Sequence, residues 1–238
     1  MSELDFQYLN TQAKSEIVYL GEHKTPVILI DNFSRCALKL KQDAIAHNQF
    51  KQTPSDYYPG LRMPGPKQYA EEICSLYAQQ LNQVFAMQTS FWQSNLCAYS
   101  LTTTQPEKLK PIQMLPHFDT ANDNQLAVVH YLCDETFGGT AFFRHNSTGY
   151  ERINKAQLNN YATQLKQQAM AARLHEKPGY LAEQNSLYQK IGQVDVEFNR
   201  AVIYPGNLLH SGLIKPALLS DDPTTGRLTL NTFIVNAH

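Results

Sequence analysis

The chain has 238 residues, and 20 Lys+Arg against 21 Asp+Glu give a formal net charge of −1. That length is read as one domain over residues 1–238, long enough to bury a sizeable core. With 42% hydrophobic and 17% charged residues, intrinsic disorder is excluded, and near-neutral charge removes the basic footprint of a nucleic-acid binder or a polybasic membrane-surface protein.

The opening MSELDFQYLN carries two acids and no apolar run, unlike a secretory signal. The longest apolar runs, such as Val27 to Ile30, fall far short of the roughly 20 residues that cross a bilayer. Cys36, Cys74, Cys97 and Cys133 are scattered without a CxxC, so they read as buried thiols rather than a disulfide framework or a zinc-thiolate site. A cytoplasmic protein is expected.

In chain order, Ile17 to Leu20 and Val27 to Ile30 predict early strands. A helix is predicted from Ser34, as N-cap, to about His47. Residues 56–66 hold three Pro and two Gly and read as loop. Lys67 to about Met87 reads as a helix, with Tyr69, Ile73, Leu76, Tyr77, Leu81, Val84 and Phe85 on one face. After Ser90 the pattern changes to short β-type runs: residues 91–101, 114–119, 126–133, 140–144, 194–204 and 228–235. Residues 154–190, rich in Gln, Ala, Leu and Asn, read as a helical insertion broken at Lys177-Pro178-Gly179. It would serve as core cover, a homodimer surface or a lid. Helices first and strands later give an α+β fold: an antiparallel sandwich or barrel with helices packed outside.

The chemistry starts at His117-Phe118-Asp119, where residues i and i+2 of a strand project to one face and offer an imidazole and a carboxylate together. One His-x-acid pair is no more than chance allows, so its weight comes from a distant partner. His210 lies 93 residues on, after an apolar run and a Pro205-Gly206 turn. Two His and one carboxylate in this order make the 2-His-1-carboxylate face of non-haem Fe(II) oxygenases, which leaves three metal positions open. Arg227 opens the last β-run. Pointing inward it requires an anion, and its planar fork suits a carboxylate; pointing outward it is a solvated strand-end Arg.

These residues, with Tyr131-Leu132 preceding Gly138-Gly139-Thr140-Ala141-Phe142, resemble the 2-oxoglutarate- and Fe(II)-dependent dioxygenases, particularly the prolyl-hydroxylase-like branch. Asn95-Leu96-Cys97-Ala98-Tyr99 resembles the family strand whose Tyr faces the co-substrate. The chain is also similar to an uncharacterised bacterial family of this superfamily, which shares the Tyr58-Pro59-Gly60-x-Arg62 loop and the Arg144-His145 stretch. The resemblance implies a double-stranded β-helix (jelly roll) and iron held by His117, Asp119 and His210. It implies 2-oxoglutarate held by Arg227 with Tyr99 and Tyr131, and O₂ as the oxidant. The activity implied is oxidation of a substrate C–H bond, as in a hydroxylase, coupled to decarboxylation of 2-oxoglutarate. The Arg follows the distal His less closely than in the family, and the insertion is longer. A jelly-roll binding module without activity, or a cupin-like metalloenzyme that does not use 2-oxoglutarate, are the rival readings.

Arg62 is the expected substrate-contacting cation, for a small-molecule or peptide substrate. His130, alternating with Val128 and Leu132, reads as a packed or surface His; His145 reads as a surface or pocket-rim residue. Trp92 and the Tyr residues read as core. Asn146-Ser147-Thr148 matches a glycosylation sequon in a chain with no sign of secretion. No P-loop, GxGxxG or GxSxG is present.

Overall fold

The computed structural model describes residues 7–52, 57–89, 91–181 and 183–237; Asp56, in the predicted loop, and Ala182, in the predicted insertion, lie outside them. The strands are β1 (Ser15–Leu20), β2 (Thr25–Ile30), β3 (Gly60–Pro64), β4 (Phe91–Thr102), β5 (Gln125–Tyr131), β6 (Thr140–His145), β7 (Tyr188–Val194), β8 (Ala201–Pro205), β9 (His210–Gly212) and β10 (Leu228–Ala237). The helices are α1 (Ala37–His47), α2 (Lys67–Leu76), α3 (Ala78–Val84) and α4 (Leu158–Ala171).

Seven strands pair in the order β1-β2-β8-β5-β10-β4-β3 and three in the order β7-β6-β9, with every pairing antiparallel. Side-chain alternation then divides the large sheet. On β5, Leu126, Val128 and His130 join a core shared with α1, α2 and α3. Ala127 and Tyr131 turn the other way and join Phe142 of β6, Val194 of β7 and Tyr204 of β8 in a core between the sheets. The Phe142 and Tyr204 rings meet edge-on at 5.2 Å, so the sheets face each other as the two halves of a jelly roll. A third core, with Phe143, Tyr161 and Tyr188, seats α4 on the outside of the small sheet. This is the α+β jelly roll expected. Among the described residues, no helix is long and apolar enough to cross a membrane, and all four Cys are free thiols.

Several predicted elements need correction. The loop over 56–66 contains strand β3, paired with β4. Its Gly60 is there because a Cβ would sit 2.0 Å from the Leu101 carbonyl, and its Pro64 is tolerated because the strand forms the sheet edge. The helix over 67–87 divides at Tyr77, whose ring stacks on Phe33 at 5.6 Å. Cys36, not Ser34, caps α1; the Ser34 hydroxyl instead donates to Tyr8 O and accepts from Cys36 N–H. Among its described residues, the 154–190 insertion holds an α-helix only at α4, with one 3-10 turn at Leu174–Glu176, and strand β7 begins inside it. The run at 194–204 is two strands, separated where Asn199 takes φ +67°. The run at 114–119 forms no strand, since Pro116 interrupts any ladder.

His130 is a fully satisfied core residue. It accepts from the Tyr69 hydroxyl at Nδ1 (3.0 Å) and donates from Nε2 to Asn199 Oδ1 (3.0 Å). Burial lowers its pKa from 6.5 to about 4. Between those values the unfolded chain holds a proton that the folded chain lacks. Stability therefore rises with pH across that window and is lost as pH falls from 6.5 toward 4. Melting curves of the metal-free protein should flatten over this range in His130→Gln; an unchanged slope would show that other groups carry the acid sensitivity.

Candidate metal and co-substrate site

The Pro205-Gly206 turn after β8 assembles the site. Gly206 O accepts the amide N–H of Asp119 (2.7 Å) and of Thr120 (3.3 Å). Four residues on, His210 opens β9 and pairs with Phe142 of β6. Its backbone exchanges two hydrogen bonds with His117, N–H to O at 2.8 and 2.9 Å, in an isolated bridge. That bridge, rather than a strand, places His117 and Asp119 together. One ligand atom from each of His117, Asp119 and His210 lies within 4.8 Å of the other two, and the His117 and His210 ring centroids are 4.3 Å apart.

His210 Nδ1 lies 2.8 Å from the Leu208 carbonyl, so the proton sits on Nδ1 and the Nε2 lone pair points toward Asp119 Oδ2, 3.8 Å away. Burial lowers the His210 pKa to about 4, which keeps that lone pair available at neutral pH. Two imidazoles and a carboxylate form a donor set that suits a divalent transition metal. His117 is exposed, Asp119 half-buried and His210 buried, which leaves one side of the cluster open.

That open side faces a cavity of about 320 Å³ between the sheets, at the lower end of the ~300–1,000 Å³ of small-molecule sites. Arg227 lines it. Its residue is only 7% exposed, so the cation is buried. Nε donates to Gly138 O (2.8 Å) and Nη2 to Gly139 O (3.1 Å), while the guanidinium lies over the Tyr131 ring at 5.7 Å. These partners are neutral, and it forms no ion pair among the described residues. The Gly-Gly motif and Arg227, far apart in sequence, are thus one device: the turn's carbonyls aim the fork. A Cβ at Gly138 would lie 1.6 Å from Leu213 O. Gly138→Ala is expected to cost about 3 kcal/mol in urea unfolding, at the upper end of ordinary overpacking; a loss below about 1 kcal/mol would mean that the turn yields freely.

Tyr131 sits behind Arg227 and donates or accepts a 2.7 Å bond with Thr140 Oγ1; it braces the guanidinium and does not line the cavity. Tyr99 is a correction. It pairs across from Leu230 and packs in the helix-side core, on the sheet face opposite the cavity. Its neighbours in β4, Ser100 and Thr102, pair with the row that faces the cavity. The Tyr99 hydroxyl is buried and has no hydrogen-bond partner among the described residues. Arg62 lines the cavity, its guanidinium 4.7 Å over the Tyr58 ring.

Tyr58, named from sequence only within the Tyr58-Pro59-Gly60-x-Arg62 loop, also lines the cavity, and Tyr180, Tyr204, Thr229 and Asn231 join it with no site role assigned from sequence. Tyr204 packs against the His210 ring at 4.8 Å. Thr229 and Asn231 of β10 follow Arg227, which immediately precedes the strand, at i+2 and i+4, a signal that strand parity contains. Tyr180 comes from the segment after α4 and donates to Thr104 O at 2.6 Å, and Phe118 meets Tyr161 of α4 at 6.0 Å. His145 is neither at the rim nor at the surface. It is buried beneath α4, bonded to Thr148 Oγ1 and Gln168 Oε1. Arg144 pairs with Glu22 and Glu151. Burial pushes the Glu151 carboxyl up, but Arg144 and the Glu22 and His23 amides outweigh it and hold the group below its ordinary pKa.

Comparison with known proteins adds three findings. A family model described as "Family of unknown function (DUF6445)" matches residues 11–234. No curated protein matches the chain by sequence. Among solved structures, the chain is similar to HygX from Streptomyces hygroscopicus with nickel and 2-oxoglutarate bound: TM-score 0.50, 11% identity, covering 90% of this chain and 84% of that one. It is likewise similar to the non-heme alpha ketoglutarate dependent carbocyclase SnoK from nogalamycin biosynthesis, with TM-score 0.51, 10% identity, and 90% and 81% covered. The epimerase SnoN in complex with Fe3+, alpha ketoglutarate and nogalamycin RO gives TM-score 0.51, 9% identity, and 90% and 80% covered. At these identities the likeness is one of fold.

Proposed function

Since the chain belongs to the DUF6445 family, itself of unknown function, we propose that it is a non-haem Fe(II)- and 2-oxoglutarate-dependent oxygenase that hydroxylates a small molecule or a protein side chain. One observation carries the reading: the His117, Asp119 and His210 cluster opens into the same cavity as a buried arginine whose partners among the described residues are all neutral. A metal site alone gives no reason to bury a guanidinium. A dicarboxylate with one end on the metal and the other on Arg227 does, because an uncompensated buried cation is costly. The same feature weighs against a cupin-like enzyme without a 2-oxo acid.

His117, Asp119 and His210 would hold the iron, which when bound supplies the oxidative chemistry that side chains lack. Leu208 O fixes the His210 tautomer so that Nε2 faces the metal. Arg227, oriented by Gly138 and Gly139, would receive the distal carboxylate of 2-oxoglutarate in two-point fashion. The apolar walls, including Phe118, Val129 and Phe233, exclude water and strengthen that pairing. Arg62 and Tyr58, on the same cavity wall, are proposed to meet the primary substrate.

The test is aerobic succinate formation from 2-oxoglutarate by purified protein, with and without added Fe(II). Even without its primary substrate, the protein is expected to release succinate slowly and only with iron. No iron-dependent succinate, across a broad panel of candidate substrates, would leave the inactive binding module as the better reading.

A further inference from the structure

Asn207 is fully buried one residue beyond the Pro205-Gly206 turn, and we propose that it is a positioning residue for the metal site. This rests on the metal reading above. The carbonyls on either side of it reach two of the three candidate ligands. Gly206 O accepts the Asp119 amide at 2.7 Å, and Leu208 O accepts His210 Nδ1–H at 2.8 Å. Whatever fixes residue 207 therefore fixes the carboxylate's backbone and the imidazole's tautomer and tilt together.

The Asn207 side chain is fixed from outside the barrel. Its Oδ1 accepts from Arg152 Nε (2.7 Å) and its Nδ2 donates to Asp123 Oδ1 (2.7 Å). Arg152 Nη2 closes the ring on the same Asp123 oxygen (3.2 Å). Both ends of the amide are thereby assigned: the oxygen to a cation and the nitrogen to a carboxylate. Its backbone carbonyl accepts Ile153 N–H at 2.8 Å, and Leu209 N–H reaches Glu151 O at 2.8 Å. The 206–210 segment is thus clasped between residues 151–153 on its outer side and the His117–Asp119 segment on its inner side. Of these ties, the Asn207 amide is the side-chain contact that sits between the two ligand-directing carbonyls.

Outer partners that orient metal ligands typically contribute about 10–100-fold in metal affinity. Anaerobic titration with Co(II), followed by its visible ligand-field absorption, reads both affinity and geometry without turnover. Asn207→Ala is expected to bind Co(II) about 10–100-fold more weakly than wild type and with an altered absorption band. Asn207→Asp should also bind weakly, because it sets a second carboxylate against Asp123. Combining Asn207→Asp with Asp123→Asn reverses donor and acceptor between 207 and 123 and keeps the ring's net charge, while Arg152 Nη2 loses its acceptor at 123, so affinity and band should recover in part, well above Asn207→Asp alone. That rescue separates positioning from bulk, and it serves equally if Asn207→Ala does not fold. Wild-type Co(II) affinity in folded Asn207→Ala would overturn the proposal, as would a folded double variant that binds no better than Asn207→Asp alone. Failure of the wild-type protein to bind Co(II) would overturn the metal reading itself, and this proposal with it.

Discussion

Arg227→Met is expected to raise the 2-oxoglutarate concentration for half-maximal turnover by about 100-fold or more, while the metal-free protein melts close to wild type. Truncating one partner of a buried, hydrogen-bonded charge pair costs ~2–5 kcal/mol in binding, which is about 30-fold to several thousand-fold. In the free protein the balance differs. The guanidinium is buried against two carbonyls and the Tyr131 ring, all neutral partners among the described residues. Methionine keeps much of the aliphatic stem and removes a desolvated cation, while leaving Gly138 O short of a donor. Those contributions oppose each other. Arg227→Lys should fall between, since a point charge replaces the fork. A large drop in melting temperature with unchanged 2-oxoglutarate dependence would instead make Arg227 a structural strut.

His117→Ala is expected to remove stable metal binding with little change in the melting of the metal-free protein. His117 is the exposed member of the cluster, so its ring can be deleted without opening a cavity in the core. The backbone bridge to His210 does not depend on its side chain. Loss of a direct ligand should exceed the about 10–100-fold typical of outer partners. Elemental analysis after anaerobic Fe(II) loading and desalting checks it, and wild-type iron content in folded His117→Ala would remove this residue from the ligand set. His210→Ala should lose iron as well, but there the buried ring also supports the core, so folding must be measured alongside.

What sequence made legible was spacing and residue type. The His-x-Asp, the distal His, the Gly-Gly turn and Arg227 all reach one cavity or its immediate support. What it hid was parity and pairing. Strand β4 is buried on both faces toward its end, and although Ser100 and Thr102 alternate with Tyr99 and Leu101, that alternation alone does not say which face holds the cavity. The resemblance carried by Asn95 to Tyr99 makes Tyr99 a cavity residue, whereas it lies in the helix-side core. Arg62 reads as a loop residue because Gly60 and Pro64 resemble turn signals; their role as edge and close-approach residues depends on β4, more than thirty positions away. His117 and Asp119 share a site through a two-bond bridge to His210, a non-local pairing with no local signature. The contribution of α4 through Tyr161 and Phe118 is of the same kind.

The most direct test of the account is anaerobic titration of Fe(II)-loaded protein with 2-oxoglutarate, followed by the visible charge-transfer absorption that a chelated 2-oxo acid gives. The account predicts a saturable, stoichiometric band that needs iron, disappears in His117→Ala, and shifts to much higher 2-oxoglutarate concentration in Arg227→Met. An iron-loaded protein that gives no such band, or one that Arg227→Met leaves unmoved, would contradict it.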